Sequence, residues 1–456
     1  MEQKRSVNQI TEGVIWKQLL TFFFPILLGT FFQQMYNTVD TIIVGRFVGT
    51  QALAAVGSTS AFVNLVNGFF IGLSTGATVI LSQFYGANDR KGIHNALHTG
   101  ITLSVILGAA TSAIGILSTP YVLKLTQIPD NCLADASLYT SIYFSGAVAS
   151  MVYNMGSGIL RAMGDSKRPM IFLIITCLLN IVMDLLCVVV LKMGVAGVAI
   201  ATVISQVISA VLILIVLCRM QENPLQLRSL CLDKDLLMRI LQIGLPAGLQ
   251  FVTFDISNVL IQSGINSFGD ITIAAWTAYV KTDAIVWMIS GAFGVAITTF
   301  VGQNFGAQKY GRIRQSVWVC MGMSIGLMIV LSTLLLTLRY YILGIYTTDL
   351  EVIRLGAYVM LWIVPFNAIF MPVEVFAGAM RGTGYSTAPT IITCLSVCVF
   401  RVLWVVIVVS RWHTIEMLAL AYPISWVLAA LTFYIEYLRG NWLSKRIEAC
   451  GMIPEK

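Results

Sequence analysis

Apolar runs of about twenty residues, separated by short polar or glycine-bearing turns, recur along the whole chain. Their centres fall near residues 28, 66, 106, 148, 180, 207, 252, 287, 326, 363, 399 and 425. One helical crossing of a bilayer needs about 20 apolar residues, so the pattern predicts an all-α integral membrane protein with twelve transmembrane helices. The longest polar interruption runs from Arg219 to Arg239, almost at the midpoint. It reads as a linker between an N-terminal six-helix lobe, residues 1–222, and a C-terminal one, residues 223–456.

Composition removes the soluble alternatives. Of the 456 residues, 57% are hydrophobic and 11% are charged, against roughly 25% charged in an ordinary soluble domain. Lipid is the only solvent that suits such a surface, and no soluble catalytic domain fits in what remains. The first segment has the charge and apolar order of a signal peptide without a small-residue cleavage site, so a retained first helix is expected. Nine Cys are scattered. Cys177, Cys187, Cys320, Cys394 and Cys398 lie inside apolar runs without C-x-x-C spacing, as small core residues do.

The net charge is +7, but the 28 Lys and Arg sit singly or in small groups between the apolar runs. That distribution sets topology and does not suit nucleic acid. With both termini and the even-numbered connections on one side, that side collects 20 cations, including Lys4, Arg5 and Lys456, and the other side 6. Lys281 and Arg401 stay within spans. Cationic loops remain in the cytoplasm, so both termini are expected inside a bacterial cytoplasmic membrane.

The two halves repeat one another in a single constant register. Gln83, Gly86 and Ala87 match Gln303, Gly306 and Ala307; GILRAMGDSKRP matches GAMRGTGYSTAP; Ala199, Ala201 and Ser205 match Ala419, Ala421 and Ser425. Near the start the register slips by one, pairing Pro25 with Pro246. Six spans per repeat make the repeats parallel, with an axis along the membrane normal and a central cavity expected between the lobes.

Ionisable groups within the hydrocarbon need a partner or a task. Asp40, Asp184, Asp255, Lys281, Asp283, Glu374 and Arg401 stand at such positions. The second half balances three acids with two bases, whereas Asp40 and Asp184 in the first half have no intramembrane base. If they meet, one takes up a proton or both hold a cation. Pro25, Gly29, Gln33, Tyr36, Asn37 and Asp40 recur at three- and four-residue steps, which places them on one kinkable polar face of the first helix. Asn180 and Asp184 share a face of the fifth helix, and Thr202 adds a hydroxyl on the sixth. Such hard oxygen ligands suit sodium and not zinc or copper. For Asn180 and Thr202 taken alone, interhelical hydrogen bonding accounts for them equally well. In the repeat register Asn180, Asp184 and Thr202 face Phe400, Trp404 and Tyr422, which confines the cation set to one lobe.

In the second lobe Lys281 is expected to pair with Asp255 or Glu374, while Asp283 points to another side of the same helix. Arg401 completes a polar network that serves structure or a second site. His94 and His98 are four apart with no visible third ligand, at a helix entrance. The GxxxG pairs Gly72/Gly76, Gly322/Gly326 and Gly378/Gly382 predict close helix packing.

Taken together, QQMYNTVDTIIVGRFVG, the two Q-x-x-G-A turns, RAMGDSKRP, MRGTGYSTAP and NIVMDLL resemble the multidrug and toxic compound extrusion family over essentially the whole chain. Asp40, Asn180, Asp184 and Thr202 look like the cation set of its DinF-type branch, and Pro25 like that branch's helix-bending proline. The resemblance implies a secondary antiporter, not an enzyme, that exports amphipathic, mostly cationic compounds against inward H+ or Na+. Gln33, Tyr36, Asn37, Tyr139, Asn154 and Met155 are the expected cavity lining. Asp255 and Glu374 invite comparison with the NorM-type branch, where second-lobe acids serve; here Lys281 and Arg401 share that lobe. No cofactor is expected beyond the coupling ion, and the expected partners are the bilayer and small organic cations, with the chain acting as a monomer. A flippase for a lipid-linked or other endogenous substrate is the alternative within the same superfamily, although such a cavity would favour Arg and Lys over acids.

Overall fold

The computed structural model describes residues 10–125 and 129–449, and no strand occurs among them. Lys4, Arg5 and Lys456 of the charge count lie outside the described residues. The spans are α1 (Ile15–Val48), α2 (Thr50–Gly86), α3 (Arg90–Lys124), α4 (Asp130–Ser145 with Ala147–Ala162), α5 (Lys167–Val190) and α6 (Val195–Cys218) in the first repeat. The second repeat has α7 (Lys234–Asn266), α8 (Asp270–Gly306), α9 (Tyr310–Thr337), α10 (Leu350–Gly382), α11 (Thr387–Val409) and α12 (Ile415–Arg439). Among the described residues, eleven of these are continuous helices long and apolar enough to cross a membrane. The twelfth, α4, is two shorter helices that meet at Gly146, whose N–H bonds to Tyr143 O at 3.1 Å while its own carbonyl accepts from Ser150 N. The ladder continues through the junction, so α4 bends there without ending.

The duplication is written into the backbone. α2 and α8 begin and end at equivalent positions of the two repeats, and so do the helices Ala147–Ala162 and Asn367–Gly382. Left-handed residues recur in register: Gly49 with Gly269, Asn88 with Gln308, and Gly164 with Gly384. At Gly384 a side chain would meet both strain and the Arg446 guanidinium, 2.6 Å from the Cβ position.

Contacts divide the chain into two compact units: Phe24–Gly248, and the chain from Leu249 together with the segment before Phe24. The repeat boundary at 222/223 and this boundary differ because each repeat's first helix changes unit close to its proline, Pro25 or Pro246. In the second unit, Phe23 stacks on Phe293 with ring centroids 4.2 Å apart. Arg312 donates to the Gly13 and Ile10 carbonyls at 2.8 and 3.2 Å, and Lys309 to Thr11 O at 2.9 Å.

In the first unit the lead of α7 packs on α2. A Cβ at Gly72 would fall on the Gly248 backbone, and one at Gly76 on the Ile240 carbonyl. Leu236, Ile240 and Ile243 enter the same apolar core as Ile80, Leu97, Met155 and Ile213. The linker is docked on α3: His98 Nε2 accepts from Gln226 N at 3.0 Å, and Thr99 Oγ1 from Asp233 N at 3.2 Å. His98 is therefore a buried anchor for the linker.

Two of the three GxxxG pairs pack as expected; the third does not. Gly378 and Gly382 lie against the Gly294 and Thr298 carbonyls, but nothing stands within 4 Å of a Cβ at Gly322 or Gly326. That pair faces outward on α9, where small residues bring no helix closer. Overpacking a tight crossing costs about 1–3 kcal/mol, so Gly76→Leu is expected to lower the unfolding temperature of detergent-solubilised protein sharply and Gly322→Leu to leave it close to wild type. Thermal-ramp size-exclusion chromatography reads both, and equal losses would refute the α2–α7 contact.

Candidate functional site

Four side chains meet inside the first unit: Asp40 on α1, Asn180 and Asp184 on α5, and Thr202 on α6. Asn180 and Asp184 are fully buried, Thr202 is 1% exposed and Asp40 8%. Each acid is followed by a widened, π-type turn, Val44–Val48 after Asp40 and Leu185–Val190 after Asp184, and the two turns pack against each other. Such a turn inserts an extra residue into the helix and re-aims the side chains beside it. The same insertion occurs at Val405–Val409 on α11, in register with its counterpart on α5.

The hydrogen bonds in this cluster are incomplete. Thr202 Oγ1 donates to Val198 O at 2.9 Å and lies 3.5 Å from Asp40 Oδ2. One hydroxyl has one proton, so the nearer carbonyl takes it and Asp40 gains little. The Asp40 and Asp184 carboxyls approach closely enough for one, if protonated, to donate to the other. As bare carboxylates both only accept. Asp40 Oδ1, both Asp184 oxygens and both polar atoms of Asn180 then have no hydrogen-bond partner among the described residues. Buried polar atoms are rarely left so, and an oxygen-rich cluster with two negative charges fits a proton or a small hard cation.

Tyr36 stands beside Asp40 and Thr202, with Tyr139 and Tyr143 in the same cluster. Tyr143 OH accepts from Asn67 Nδ2 at 2.8 Å. Gln33 and Asn37 are exposed on α1. Asn154 is half-buried, and its amide donates to Ser150 O at 3.0 Å. Met155 corrects the expected lining: it is 2% exposed within the apolar core, its sulfur against the Gly100 position, so it is filler. The sequence does not single out Tyr143 and Asn67. They are polar residues within spans, but they lie on different helices and no spacing links them.

The second repeat distributes its charge differently from expectation. Lys281 is exposed and makes no ion pair among the described residues, with Asp255, Glu374 or any other acid. Glu374 pairs instead with Arg381 at 3.6 Å, and Arg381 also donates to Gln250 Oε1 at 3.4 Å. α10 runs on to Gly382, so Arg381 belongs to its last turn. Seven residues from Glu374 is two turns, which puts acid and base on one face. Asp283 accepts from Trp287 Nε1 at 2.8 Å and lies within electrostatic reach of Arg401. Arg401 is buried, donates to Ser425 Oγ at 2.8 Å and stacks 4.1 Å over the Tyr422 ring. Asp255 is half-buried and has no ion pair among the described residues.

The MatE family model matches the chain twice, over residues 25–186 and 246–407. The chain belongs to the MatE family. MatE proteins are transporters, not enzymes. Both matches open at the repeat prolines, Pro25 and Pro246. A probable multidrug resistance protein, YoeA of Bacillus subtilis, is 28% identical over 446 residues, covering 95% of each chain. A probable multidrug resistance protein NorM of Thermotoga maritima is 24% identical over 453 residues, covering 95% of this chain and 94% of its own. A solved structure of a MATE protein in a bent conformation superposes with a TM-score of 0.90 at 21% identity, over 97% of this chain and all of that one. The straight conformation gives 0.86 at 21% identity, over 98% and 99%. At these identities the structural likeness fixes the fold alone.

The two MatE repeats of this chain thus differ at equivalent depths. Where the first gathers Asn180, Asp184 and Thr202, the second has Phe400, Trp404 and Tyr422, with Arg401 against the aromatics. Arg401→Met removes the buried cation within electrostatic reach of Asp283 together with its bond to Ser425, and is expected to destabilise the solubilised protein by about 1.5–3 kcal/mol, the scale for a hydrogen bond to a charged group. Asp283→Asn in that background should recover part of the loss. Thermal unfolding of the three variants reads this, and a double variant no more stable than Arg401→Met would exclude the coupling.

Proposed function

We propose that this MatE protein is a DinF-like antiporter, which exports amphipathic, mostly cationic compounds by alternating access and is driven by inward movement of H+ or Na+ through the Asp40 cluster. It acts as a monomer in a bacterial cytoplasmic membrane with both termini inside, in keeping with the cationic loops. The observation that carries the reading is the pair of buried acids without a base, surrounded by polar atoms that lack partners.

The physics of coupling is direct. Two like charges about 4 Å apart repel by about 4 kcal/mol at an effective dielectric constant of about 20. Binding one proton or sodium ion relieves that repulsion and withdraws the negative potential that attracts a cationic cargo. A tenfold change in affinity needs only about 1.4 kcal/mol, so relief of even part of the repulsion separates a loading state from a releasing one by two orders of magnitude. Mutual exclusion of the coupling ion and the cargo is the condition for antiport, since a ligand drives a conformational equilibrium only through differential affinity. Pro25 stands where α1 changes unit, about 22 Å along the helix from Asp40 at about 1.5 Å per residue. A proline there frees a carbonyl and lets α1 bend as Asp40 loads and empties. The multidrug resistance names of the YoeA and NorM relatives support a drug-like cargo.

The test is transport by purified protein in liposomes carrying a fluorescent organic cation, with pH and sodium gradients imposed separately. Wild type is expected to export against at least one gradient. Asp40→Asn and Asp184→Asn should each lower gradient-driven export by a hundredfold or more, while Asp255→Asn retains it. Undiminished coupling in Asp40→Asn, or no movement under either gradient, would refute the antiport reading.

A further inference from the structure

Both repeats carry a recess at the same corner of the fold, where the fifth and sixth helices of each repeat reach the end of their apolar run. The recess of the second repeat, about 370 Å³, has largely apolar walls including Ile391, Ile392 and Ile435. Its one cation, Arg439, pairs with Glu436 at 3.9 Å, and Glu436 also accepts from Tyr385 OH at 3.4 Å. The recess of the first repeat is larger, about 460 Å³, and carries different chemistry: Arg168 and Arg219 together with Asp165 and Glu222, over an apolar floor that includes Leu160 and Met163. Arg219 and Arg439 are equivalent positions in the repeat register.

The walls of the first recess are held in place. Asp165 Oδ1 accepts from the Lys167 and Arg168 N–H groups at 3.2 and 3.1 Å, and its Oδ2 pairs with the Arg168 guanidinium at 3.2 Å. The strip bearing Glu222 is fixed by buried Leu225, whose N–H bonds to Leu217 O at 2.9 Å, and by Gln226 on His98. α4 ends at Ala162, α5 begins at Lys167 and α6 ends at Cys218, so the recess lies at the depth where hydrocarbon gives way to headgroups.

We infer that this recess binds the headgroup of a zwitterionic aminophospholipid, with the phosphate diester on Arg168 and Arg219 and the primary ammonium on Asp165 and Glu222. Two cations and two acids on one pocket match a ligand that carries both charges a few ångströms apart. A purely anionic headgroup would meet the two acids, and a quaternary ammonium has no N–H for them to accept. Leu160 and Met163 are buried beneath the floor, and half-buried Tyr85 and Met220 on the wall offer the apolar surface that the glycerol ester region needs. The assignment depends on neither cargo nor coupling ion, so it stands or falls apart from the antiport reading.

The experiment is native mass spectrometry of the full-length protein from micelles doped with equal amounts of phosphatidylethanolamine, phosphatidylcholine and phosphatidylglycerol. Phosphatidylethanolamine is expected to be retained about tenfold over either competitor. Arg219→Gln combined with Glu222→Gln should bring the three lipids near parity, whereas Arg439→Gln should leave the preference intact. A photo-crosslinking phosphatidylethanolamine on wild-type protein gives a readout free of folding effects, with label expected in peptides containing Arg168 or Glu222. Equal retention of the three lipids, label confined to other peptides, or equal competition by soluble glycerophosphoethanolamine would each overturn a phospholipid site.

Discussion

An ionised side chain surrounded by hydrocarbon must be paired, neutralised or given a ligand, and each option leaves a different structural mark. The second repeat gives two of its three acids a partner. Glu374 has Arg381 two turns along its own helix, and Asp283 has Trp287 as a donor with Arg401 nearby. The first repeat brings Asp40 and Asp184 together with neither base nor sufficient donors, and their surroundings are amide, hydroxyl and phenol. As bare carboxylates they leave that environment incomplete among the described residues. The π-type turns that follow the two acids pack against each other beside the cluster.

Duplication explains how one fold holds both solutions. Helix ends, left-handed turns and the widened turns of α5 and α11 recur in register, so the backbone hardly distinguishes the repeats. Backbone differences are local, such as the π-type turn Val44–Val48 of α1, which α7 lacks, and the chemical difference lies in side chains at equivalent positions. Replacing Asn180, Asp184 and Thr202 by Phe400, Trp404 and Tyr422 converts an oxygen-lined site into an aromatic one, against which Arg401 stacks. The exchange of each first helix's lead between units adds a mechanical link, because a bend at Pro25 or Pro246 falls where the helix changes the unit it packs on.

Much of this is legible in the sequence, and the boundary of legibility is physical. Span number and repeat register are one-dimensional patterns, and eleven of the twelve spans are continuous helices among the described residues. α4 reads as one apolar run because hydropathy does not register the junction at Gly146. The meeting of Asp40 with Asp184 is inferable because a lobe with two acids and no base leaves few arrangements. The second-lobe pairs are not, since three acids and two bases can combine in several ways and the choice depends on helix length and rotation. Reading Arg381 as a loop residue is enough to redirect Glu374 to Lys281. Met155 shares its helix with residues that do line polar space, and only the burial of its face shows it to be core.

The same comparison reaches one further position. Arg161 is the repeat equivalent of Arg381, but the place of Glu374 is taken by Asn154. Arg161 makes no ion pair among the described residues, and its Nε has no hydrogen-bond partner there. The first repeat therefore has acids without a base at one level and a base without an acid at another, whereas in the second repeat Arg381 has Glu374 and the places of Asn180, Asp184 and Thr202 are aromatic. Charges so separated along a lobe cannot cancel one another across the intervening spans, because several turns of helix lie between Arg161 and the Asp40 cluster. It is on this asymmetry between otherwise equivalent repeats that the proposed coupling to a cation rests.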